Sequence, residues 1–379
     1  MVIEQHGEYR ADNPGGRPAF HRADPVSGLD ARLLLVLSRG DTSNVVARVT
    51  GIPVEAIPQD ELFRRASVHG TWPLVYRNLQ ALHKAGVAPC APFWKVQHRR
   101  AIVRNRFILD ELGRLLQHFQ RRSIPMLVMK GPALARQAYG GEHWRLFTDL
   151  DVLIAPRDYD RAQSMLEELG YQPFSRLAAM RPWQQRFHRW RAGQMAFRRG
   201  AGTFNLDLHI RPLPPLHRYV FSFDELNDRV QVVQVGEHAL PTLADEDHLL
   251  LLCFHGVKNR WERLKHVADV AELLRSRSTR LDDVALWERA VRTRGGRVLM
   301  VGAWLAFHLL EAPLPESLHR RIAQQSEVHR IGKNLADRLV RWPVPPMSSR
   351  DRARFHLTMQ ETLGTKVQYA LGSLLRYLD

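Results

Sequence analysis

The chain has 379 residues, of which 45% are hydrophobic and 25% charged, and this ordinary globular composition predicts a sizeable core shared by two or three subdomains. The only cysteines are Cys90 and Cys253, which excludes a disulfide framework or a cysteine-based zinc site. The formal net charge of +16 favours polyanionic partners, although an arginine-rich proteome would explain the scattered arginines equally well.

Residues 1–28 are polar and lack the basic start and apolar stretch of a signal peptide, so we expect a loosely ordered arm there. The most apolar helical segments, around 249–254 and 298–310, are too short to span a bilayer. We therefore expect a protein of the reducing cytoplasm without a membrane span.

Helical periodicity dominates residues 29–121, as in Leu112, Leu115 and Phe119. The pattern then changes to short apolar runs bounded by turn residues, which are typical of buried strands. The predicted elements of this central region are strand 124–129, helix 132–139, strand 147–154, helix 156–169, and hairpin strands 195–199 and 203–210.

After residue 243 the chain returns to helical periodicity, with helices predicted at 245–258, 262–275, 283–294 and 297–310 and further segments to residue 378. We therefore predict an α+β fold with a small mixed sheet flanked by helical regions. The expected organisation is an arm at 1–28, a helical subdomain at 29–121, an α/β core at 122–242 and a helical subdomain at 243–379.

The segment FTDLDVLI places Asp149 and Asp151 two residues apart in a predicted strand. Alternate residues of a strand share a face, so both carboxylates point one way while Leu150 and Val152 point the other. Two carboxylates on one face repel each other unless they share a cation, and magnesium prefers carboxylate and phosphate oxygens. The spacing therefore predicts a magnesium site, with a purely structural role as the alternative.

The D-x-D spacing also occurs at residues 158/160 and 245/247. Both of these pairs fall in the first turn of a predicted helix, where acidic side chains interact favourably with the helix dipole and need no further function. The spacing therefore points to chemistry only where it lies in a strand.

A third carboxylate belongs to TFNLDLHI, in which apolar residues alternate with Asn205, Asp207 and His209. Asp207 is thus predicted on the polar face of its strand. If that strand lies beside the strand of Asp151, three carboxylates meet where two metal ions about 3.5–4 Å apart can hold an attacking and a leaving oxygen. An ordinary surface position in a hairpin is the alternative for Asp207.

A strand-to-helix turn is predicted at Lys130, Gly131 and Pro132. Glycine lets backbone approach a ligand closely, and proline suits the first helical position, so the helix N-terminus presents N–H groups to a phosphate. Lys130 adds a positive charge for the same phosphate, although a lysine at a strand end is often merely solvated.

These motifs together resemble the uncharacterised bacterial nucleotidyltransferases of the DNA polymerase β-like superfamily: MKGPALA from Met129, RLFTDLDVLI from Arg145, and NLDLH from Asn205. The resemblance covers about residues 30–275 and implies that Asp149, Asp151 and Asp207 ligate metal and carry the catalysis. The superfamily's usual glycine-serine turn is glycine-proline here. The residues that the resemblance places at the nucleotide are Lys130, Gly131, Arg145, Thr148, His255 and Lys258.

The resemblance continues at residues 248–270, where His255, Lys258, Leu264 and Asp269 match a helical signature. It implies that Lys258 reaches the nucleotide phosphates and that Asp269 is buried. From the residues alone, a histidine and an aspartate on partly apolar helices are as often hydrogen-bonded core groups.

Residues 180–191, MRPWQQRFHRWR, interleave arginines with aromatic residues. Stacking combined with positive charge suits nucleobases or an acidic acceptor. The alternative, which we favour, is an amphipathic helix that packs Trp183, Phe187 and Trp190 against the protein while its arginines face water.

The resemblance implies Mg²⁺-dependent transfer of a nucleoside monophosphate from a nucleoside triphosphate, ATP by default, to an acceptor, with release of pyrophosphate. Two Mg²⁺ ions are expected, and Mn²⁺ is expected to substitute; the acceptor is open between small molecule, peptide, protein and RNA. The main alternative is a non-catalytic protein that binds nucleic acid or another partner on a degenerate fold. A kinase is a weaker alternative, because the chain has no Walker-type or protein-kinase motif.

Overall fold

The structure, a computed structural model, describes residues 31–52, 54, 58–174, 179–200, 204–214 and 219–374. The arm expected at residues 1–28 lies outside the described residues. Within them the chain has the α+β fold that the sequence predicts, with helices packed on both faces of one mixed sheet.

The helices before the sheet bury apolar faces against one another and against later helices. The longest of them begins at Pro92, where proline is tolerated because the N–H that it lacks has no intrahelical partner in the first turn. These helices are α1 (Ala31–Leu37), α2 (Val45–Arg48), α3 (Gln59–His69), α4 (Trp72–Lys84) and α5 (Pro92–Arg121).

The sheet contains seven strands: β1 (Met126–Val128), β2 (Leu150–Ile154), β3 (Gln172–Pro173), β4 (Gln194–Arg199), β5 (Phe204–His209), β6 (Gln231–Val235) and β7 (His238–Thr242). Their order is β3-β4-β5-β2-β1-β7-β6. β2 is antiparallel to β1 and parallel to β5, and β4 and β5 form an antiparallel hairpin. This order places β2 at the centre of the sheet.

The remaining helices connect the strands or follow the sheet. They are α6 (Gly131–Tyr139), α7 (Tyr159–Glu168), α8 (Pro182–Ala192), α9 (Phe223–Asp228), α10 (Asp245–Lys258), α11 (Leu264–Arg277), α12 (Asp283–Arg292), α13 (Gly296–Leu310), α14 (Glu316–Ala323), α15 (Ser326–Leu339), α16 (Ser349–Met359) and α17 (Leu363–Leu374). Within the described part of the chain, no helix has both the length and the apolarity needed to cross a bilayer.

The two faces of the sheet belong to different cores. Val152 of β2 and Leu208 of β5 are buried in a core completed by the second half of α5 and by α7. On the other face, Leu153 belongs to a larger core that contains helices from both ends of the chain. The helical regions predicted at 29–121 and 243–379 therefore share one core, and their boundaries as subdomains stay a prediction.

Most predicted elements in the described residues end within three residues of the observed ends. The difference that matters is at β2, which begins at Leu150 instead of residue 147, so that Asp149 precedes the strand. The predicted helix at 156–169 is divided into a 3-10 turn at Pro156–Asp158 and α7.

Helix α8 contradicts the expectation that its aromatic residues pack against the protein. The side chains of Trp183, Phe187 and Trp190 are 63%, 46% and 56% exposed. Arg189 packs inward instead, with its guanidinium 3.7 Å from the ring centroid of Tyr159 and in an ion pair with Asp160. The favoured interpretation was therefore wrong, because the face that carries Arg189 contacts the protein and the aromatic face contacts water.

Candidate active site

Two aspartates lie side by side at the centre of the sheet. Asp151 of β2 is in register with Asp207 of β5, and neighbouring strands are about 4.8 Å apart. β5 therefore lies next to β2, as the hypothesis of converging carboxylates requires. Both aspartates occupy the sheet face opposite to Val152 and Leu208.

The alternation of apolar and polar residues explains this register. A slip of one residue in β5 would turn Leu206 and Leu208, which are now 0% exposed, toward the polar face and would bury Asp207 in the core. Burying an unpaired carboxylate costs several kcal/mol, in the range of about 2–7 kcal/mol even for neutral polar groups. The sequence of β5 therefore determines which side chains face the site.

Two residues that the sequence-based site omitted also contact the aspartates. His209 Nε2 hydrogen-bonds Asp151 Oδ1 at 3.1 Å, and the Gln194 side-chain amide donates to Asp207 Oδ2 at 3.1 Å. His209 was predictable, because it lies two residues after Asp207 and therefore shares its face. Gln194 was not, because its position depends on the pairing of β4 with β5.

The turn after β1 brings a cation to the same face. Lys130 Nζ lies 3.1 Å from Asp151 Oδ2, so its ammonium is held at the carboxylates and is not merely solvated. Gly131 has φ of 57°, a conformation that favours glycine, and it begins α6. The N-terminus of α6 thus starts beside Lys130 and offers backbone N–H groups to an anion.

The last turn of α10 places His255 and Lys258 near Lys130 and the two aspartates, and the region lined by these five side chains is called the cleft. The Nζ of Lys130 lies 3.5 Å from Nδ1 of His255, and burial together with the Lys130 charge holds the pKa of His255 well below its usual value. Burial and repulsion from Lys130 also lower the pKa of Lys258. Because Lys258 has no ion pair within the described residues, this side of the cleft is suited to an anionic ligand.

The pKa values of the two neighbouring aspartates are shifted in opposite directions. Burial alone would raise the pKa of Asp151, but the charge of Lys130 and the hydrogen bond with His209 hold it well below its usual range. Burial and the adjacent charge of Asp151 raise the pKa of Asp207 to about 6. The raised pKa shows that the nearby cations do not compensate a second negative charge at this position.

These side chains fit a divalent cation. Asp151, Asp207 and His209 each offer one ligand atom, and those atoms all lie within 4.8 Å of one another. Carboxylate oxygens suit Mg²⁺ and Mn²⁺, and imidazole is a further nitrogen ligand for transition metals. A bound cation would also remove the repulsion that raises the pKa of Asp207.

Asp149 and Thr148 are exposed just before β2 begins. The Thr148 hydroxyl lies 3.5 Å from a carboxylate oxygen of Asp149. Asp149 is not part of the close three-residue group, but its charge contributes to the raised pKa of Asp207. Asp149 therefore lies at the open edge of the cleft, near the other two aspartates.

Arg145 has a different partner from the phosphates that the resemblance implies. Its guanidinium forms two hydrogen bonds with Asp269, at 2.7 and 2.8 Å, and Tyr139 donates a third to the same carboxylate at 2.6 Å. Asp269 is 4% exposed, in agreement with the expected burial. This buried pair joins the loop before β2 to α11, and the contact of Arg145 with phosphate stays a prediction.

The sequence model of one protein family, described as "Uncharacterised nucleotidyltransferase", matches residues 55–311. Among curated proteins, none matches the chain significantly. The family match covers more than half of the chain and includes all of the strands and helices that form the cleft. The chain therefore belongs to this nucleotidyltransferase family.

Proposed function

We propose that, as a member of that family, the protein transfers a nucleoside monophosphate from a nucleoside triphosphate, with ATP as the default donor, to an acceptor and releases pyrophosphate. One observation carries the proposal: Asp151 and Asp207 are adjacent on parallel strands and face Lys130 and Lys258 across one cleft. Carboxylates for cations and lysines for phosphates are what a nucleoside triphosphate with its metal ions requires.

Asp151, Asp207 and Asp149 are the residues that would hold Mg²⁺. When bound, the metal neutralises phosphate charge and lowers the pKa of an attacking oxygen. Two ions and substitution by Mn²⁺ remain part of the proposal. His209 fixes the Asp151 side chain and Gln194 fixes that of Asp207, so both carboxylates are oriented before a ligand arrives.

The triphosphate has two sets of protein contacts in this proposal, and His255 orients one of them. Lys130 and Lys258 supply positive charge, and the N-terminus of α6 at Gly131 supplies backbone N–H donors. His255 is kept neutral beside Lys130, so it accepts a hydrogen bond from the ammonium and orients it. These groups stabilise the charge that moves onto the leaving pyrophosphate.

Asp207 is the residue proposed to accept the proton of the acceptor hydroxyl. In the reaction the acceptor oxygen bonds to the α-phosphorus, the bond to the β-phosphate oxygen breaks, and pyrophosphate leaves. As a metal ligand, Asp207 would lie beside the acceptor oxygen, and this proximity supports its role as the proton acceptor.

The test is incubation of the protein with Mg²⁺, a cell extract and each nucleoside triphosphate labelled in turn at the α- and γ-phosphate. We expect α-label to enter an acceptor and γ-label to leave as pyrophosphate. Asp207→Asn should reduce α-label transfer by about 10³-fold, since loss of a metal ligand costs several kcal/mol of transition-state stabilisation. The matched control is Asp337→Asn, an exposed aspartate of α15, which should transfer normally.

Two results would contradict the proposal. Transfer of γ-label alone would indicate a kinase, and full activity of both Asp207→Asn and Asp149→Asn would remove the carboxylates from the mechanism. A protein that binds polyanions in a salt-dependent way, with no effect of divalent ions and no transfer, would be the non-catalytic alternative.

A further inference from the structure

A second cationic surface lies outside the cleft, on the exposed side of α5. A groove of about 490 Å³ separates α5 from the start of β5. It is lined by side chains of two kinds, arginines and apolar groups, and carboxylates are absent from its lining. The lining residues of this α5 groove that carry the argument are Arg99, Arg100, Arg104, Val103, Phe107 and Phe204.

The arginines of the α5 groove have no acidic partner among the residues that the structure describes. All three are exposed, and within the described residues none of them forms an ion pair or a side-chain hydrogen bond. By contrast, Arg106 on the same helix pairs with Asp110 at 3.1 Å. Arg100 and Arg104 are four residues apart, where like charges on a helix destabilise it unless an anion lies between them. The groove is thus suited to an anionic ligand.

The apolar part of the groove presents an aromatic ring to solvent. Phe107 is 62% exposed and Val103 is 56% exposed, and the two lie one turn apart on α5. Phe204 contributes a second ring from the start of β5. Exposed rings beside guanidinium groups provide stacking surfaces next to phosphate contacts, the combination used to bind single-stranded nucleic acid.

Phe204 places one end of the α5 groove at the N-terminal end of β5, the same end of the sheet at which Asp149 precedes β2. Asn105 of α5 donates to the backbone carbonyl of Arg145 at 3.1 Å and so ties the helix to the loop that leads to Asp149. Phe204 precedes Asp207 by three residues, about 10 Å along β5. Phe204 shares the sheet face of Leu206 and Leu208, opposite to Asp207, so a chain in the groove would reach the cleft by passing around the N-terminal ends of β2 and β5.

We propose that the α5 groove binds single-stranded nucleic acid and guides a terminal hydroxyl to the cleft as the acceptor, which rests on the proposed function. A nucleic acid strand supplies phosphates for Arg99, Arg100 and Arg104 and bases for Phe107 at regular spacing. An acidic peptide would pair with the arginines but would leave the exposed ring without a planar partner. In the reaction the terminal oxygen bonds to the α-phosphorus of the triphosphate, its proton passes to Asp207, and pyrophosphate leaves.

The binding step is tested without catalysis, by fluorescence anisotropy of a labelled single-stranded RNA dodecamer with the full chain in EDTA. The variant Arg99→Gln/Arg100→Gln/Arg104→Gln should bind at least about 10-fold more weakly, and the slope of log affinity against log salt should fall by about 2, at 0.7 per lost phosphate contact. The matched control removes three other exposed arginines without ion pairs among the described residues, Arg280→Gln/Arg292→Gln/Arg350→Gln. It should bind within about 2-fold of the unmodified protein.

A single substitution separates stacking from charge. Phe107→Ala should weaken RNA binding by roughly 5-fold or more, since stacking on an aromatic ring contributes at least about that factor, with no change in the salt slope. Equal losses in the two triple-arginine variants would overturn the proposal, because net charge and not the groove would then bind RNA. Competition by poly-glutamate as effective as competition by unlabelled RNA would also overturn it, in favour of an acidic peptide.

The acceptor step is tested with α-labelled nucleoside triphosphate, Mg²⁺ and unlabelled dodecamer. We expect label on the RNA, lost in the triple variant of the groove and in Asp207→Asn, with RNA binding in EDTA lost only in the groove variant. Transfer of label to other molecules but never to RNA would overturn the role of the groove while leaving the proposed function intact. RNA binding through the groove without transfer to any acceptor would overturn the proposed function instead.

Discussion

Two regions of the molecule contain aspartates with the D-x-D spacing, at the start of α10 and at β2 in the cleft. They differ in how far other side chains neutralise the carboxylates. At the start of α10, Asp247 forms ion pairs with Arg289 at 2.5 Å and with Arg229 at 2.9 Å. Asp245 forms an ion pair with Arg277 at 3.3 Å. In the cleft, Asp151 pairs with Lys130 and His209, whereas the only side-chain hydrogen bond to Asp207 among the described residues comes from the neutral amide of Gln194. Asp247 is therefore balanced within the protein, whereas Asp207 lacks a directly contacting cationic side chain in the described part of the chain.

This difference teaches that charge balance separates structural from functional acidic pairs more clearly than spacing does. Two guanidinium groups pair with Asp247, and the ion pairs of this region join α10 to α12, α11 and the segment after α9. Burial and the charge of Glu246 raise the pKa of Asp245 even beside Arg277, so the contrast rests on Asp247; at Asp207, burial and the charge of Asp151 raise the pKa to about 6. A site that is electrostatically incomplete within its own chain is ready to receive a charged ligand.

The largest expected effect that tests this comparison is on stability. Asp247→Asn should lower the free energy of unfolding by about 3 kcal/mol, because the buried guanidinium of Arg289 then lacks its full counter-charge. Asp207→Asn should change it by less than about 1 kcal/mol or raise it, since the substitution removes a repulsive charge. Urea unfolding of both variants in EDTA at pH 7.5 provides the measurement. If Asp207→Asn lowered the free energy of unfolding as much as Asp247→Asn, the aspartates of the cleft would have a structural role as well.

The second prediction compares two cations that the family resemblance placed together. Arg145→Gln should lower the free energy of unfolding by about 2–3 kcal/mol, because it leaves Asp269 buried with one partner fewer. Lys130→Gln should instead raise the KM for nucleoside triphosphate by about 10-fold, as loss of a phosphate contact does, with a smaller change in melting temperature. Melting curves and initial rates on both variants decide between the roles. If Arg145→Gln raised the KM as much as Lys130→Gln, Arg145 would also contact the phosphates.

The smallest expected effect concerns His69, whose imidazole is buried in its neutral form. Burial and the nearby arginines Arg263 and Arg65 lower the pKa of His69 to about 4, and its Nδ1 accepts the backbone N–H of Leu264 at 3.2 Å. The unfolded chain therefore binds a proton near pH 6.5 that the folded chain does not, so stability is present above pH 6.5 and declines as the pH falls toward 4.

Between pH 7 and pH 5.5, this single histidine should cost about 1 kcal/mol of the free energy of unfolding. His69→Asn should make the decline shallower by that amount in denaturant titrations at the two pH values. His83→Asn, at an exposed position of α4, is the control and should leave the decline unchanged. An identical decline in His69→Asn and the unmodified protein would contradict the assignment.

The local pattern of apolar, polar and turn residues was sufficient to predict much of the fold and part of the candidate site. The alternation in β5 predicted the face of Asp207, and the turn at Gly131 predicted the start of α6. Periodicity was not sufficient for α8, because a helix with two dissimilar faces does not specify which of them meets the protein. The same limit applies to Arg145, whose partner Asp269 is distant in sequence.

The sequence by itself determined the α+β class, the strands that carry the aspartates and the family, because side-chain periodicity and short motifs are local properties of the chain. Only the tertiary structure decided which charges neutralise one another. Lys130 reaches Asp151 across a strand pair, Arg145 reaches Asp269 across 124 residues, and Arg99, Arg100 and Arg104 have no acidic partner in the described residues. Electrostatic energy depends on distances in space, and the packing of the two cores sets those distances.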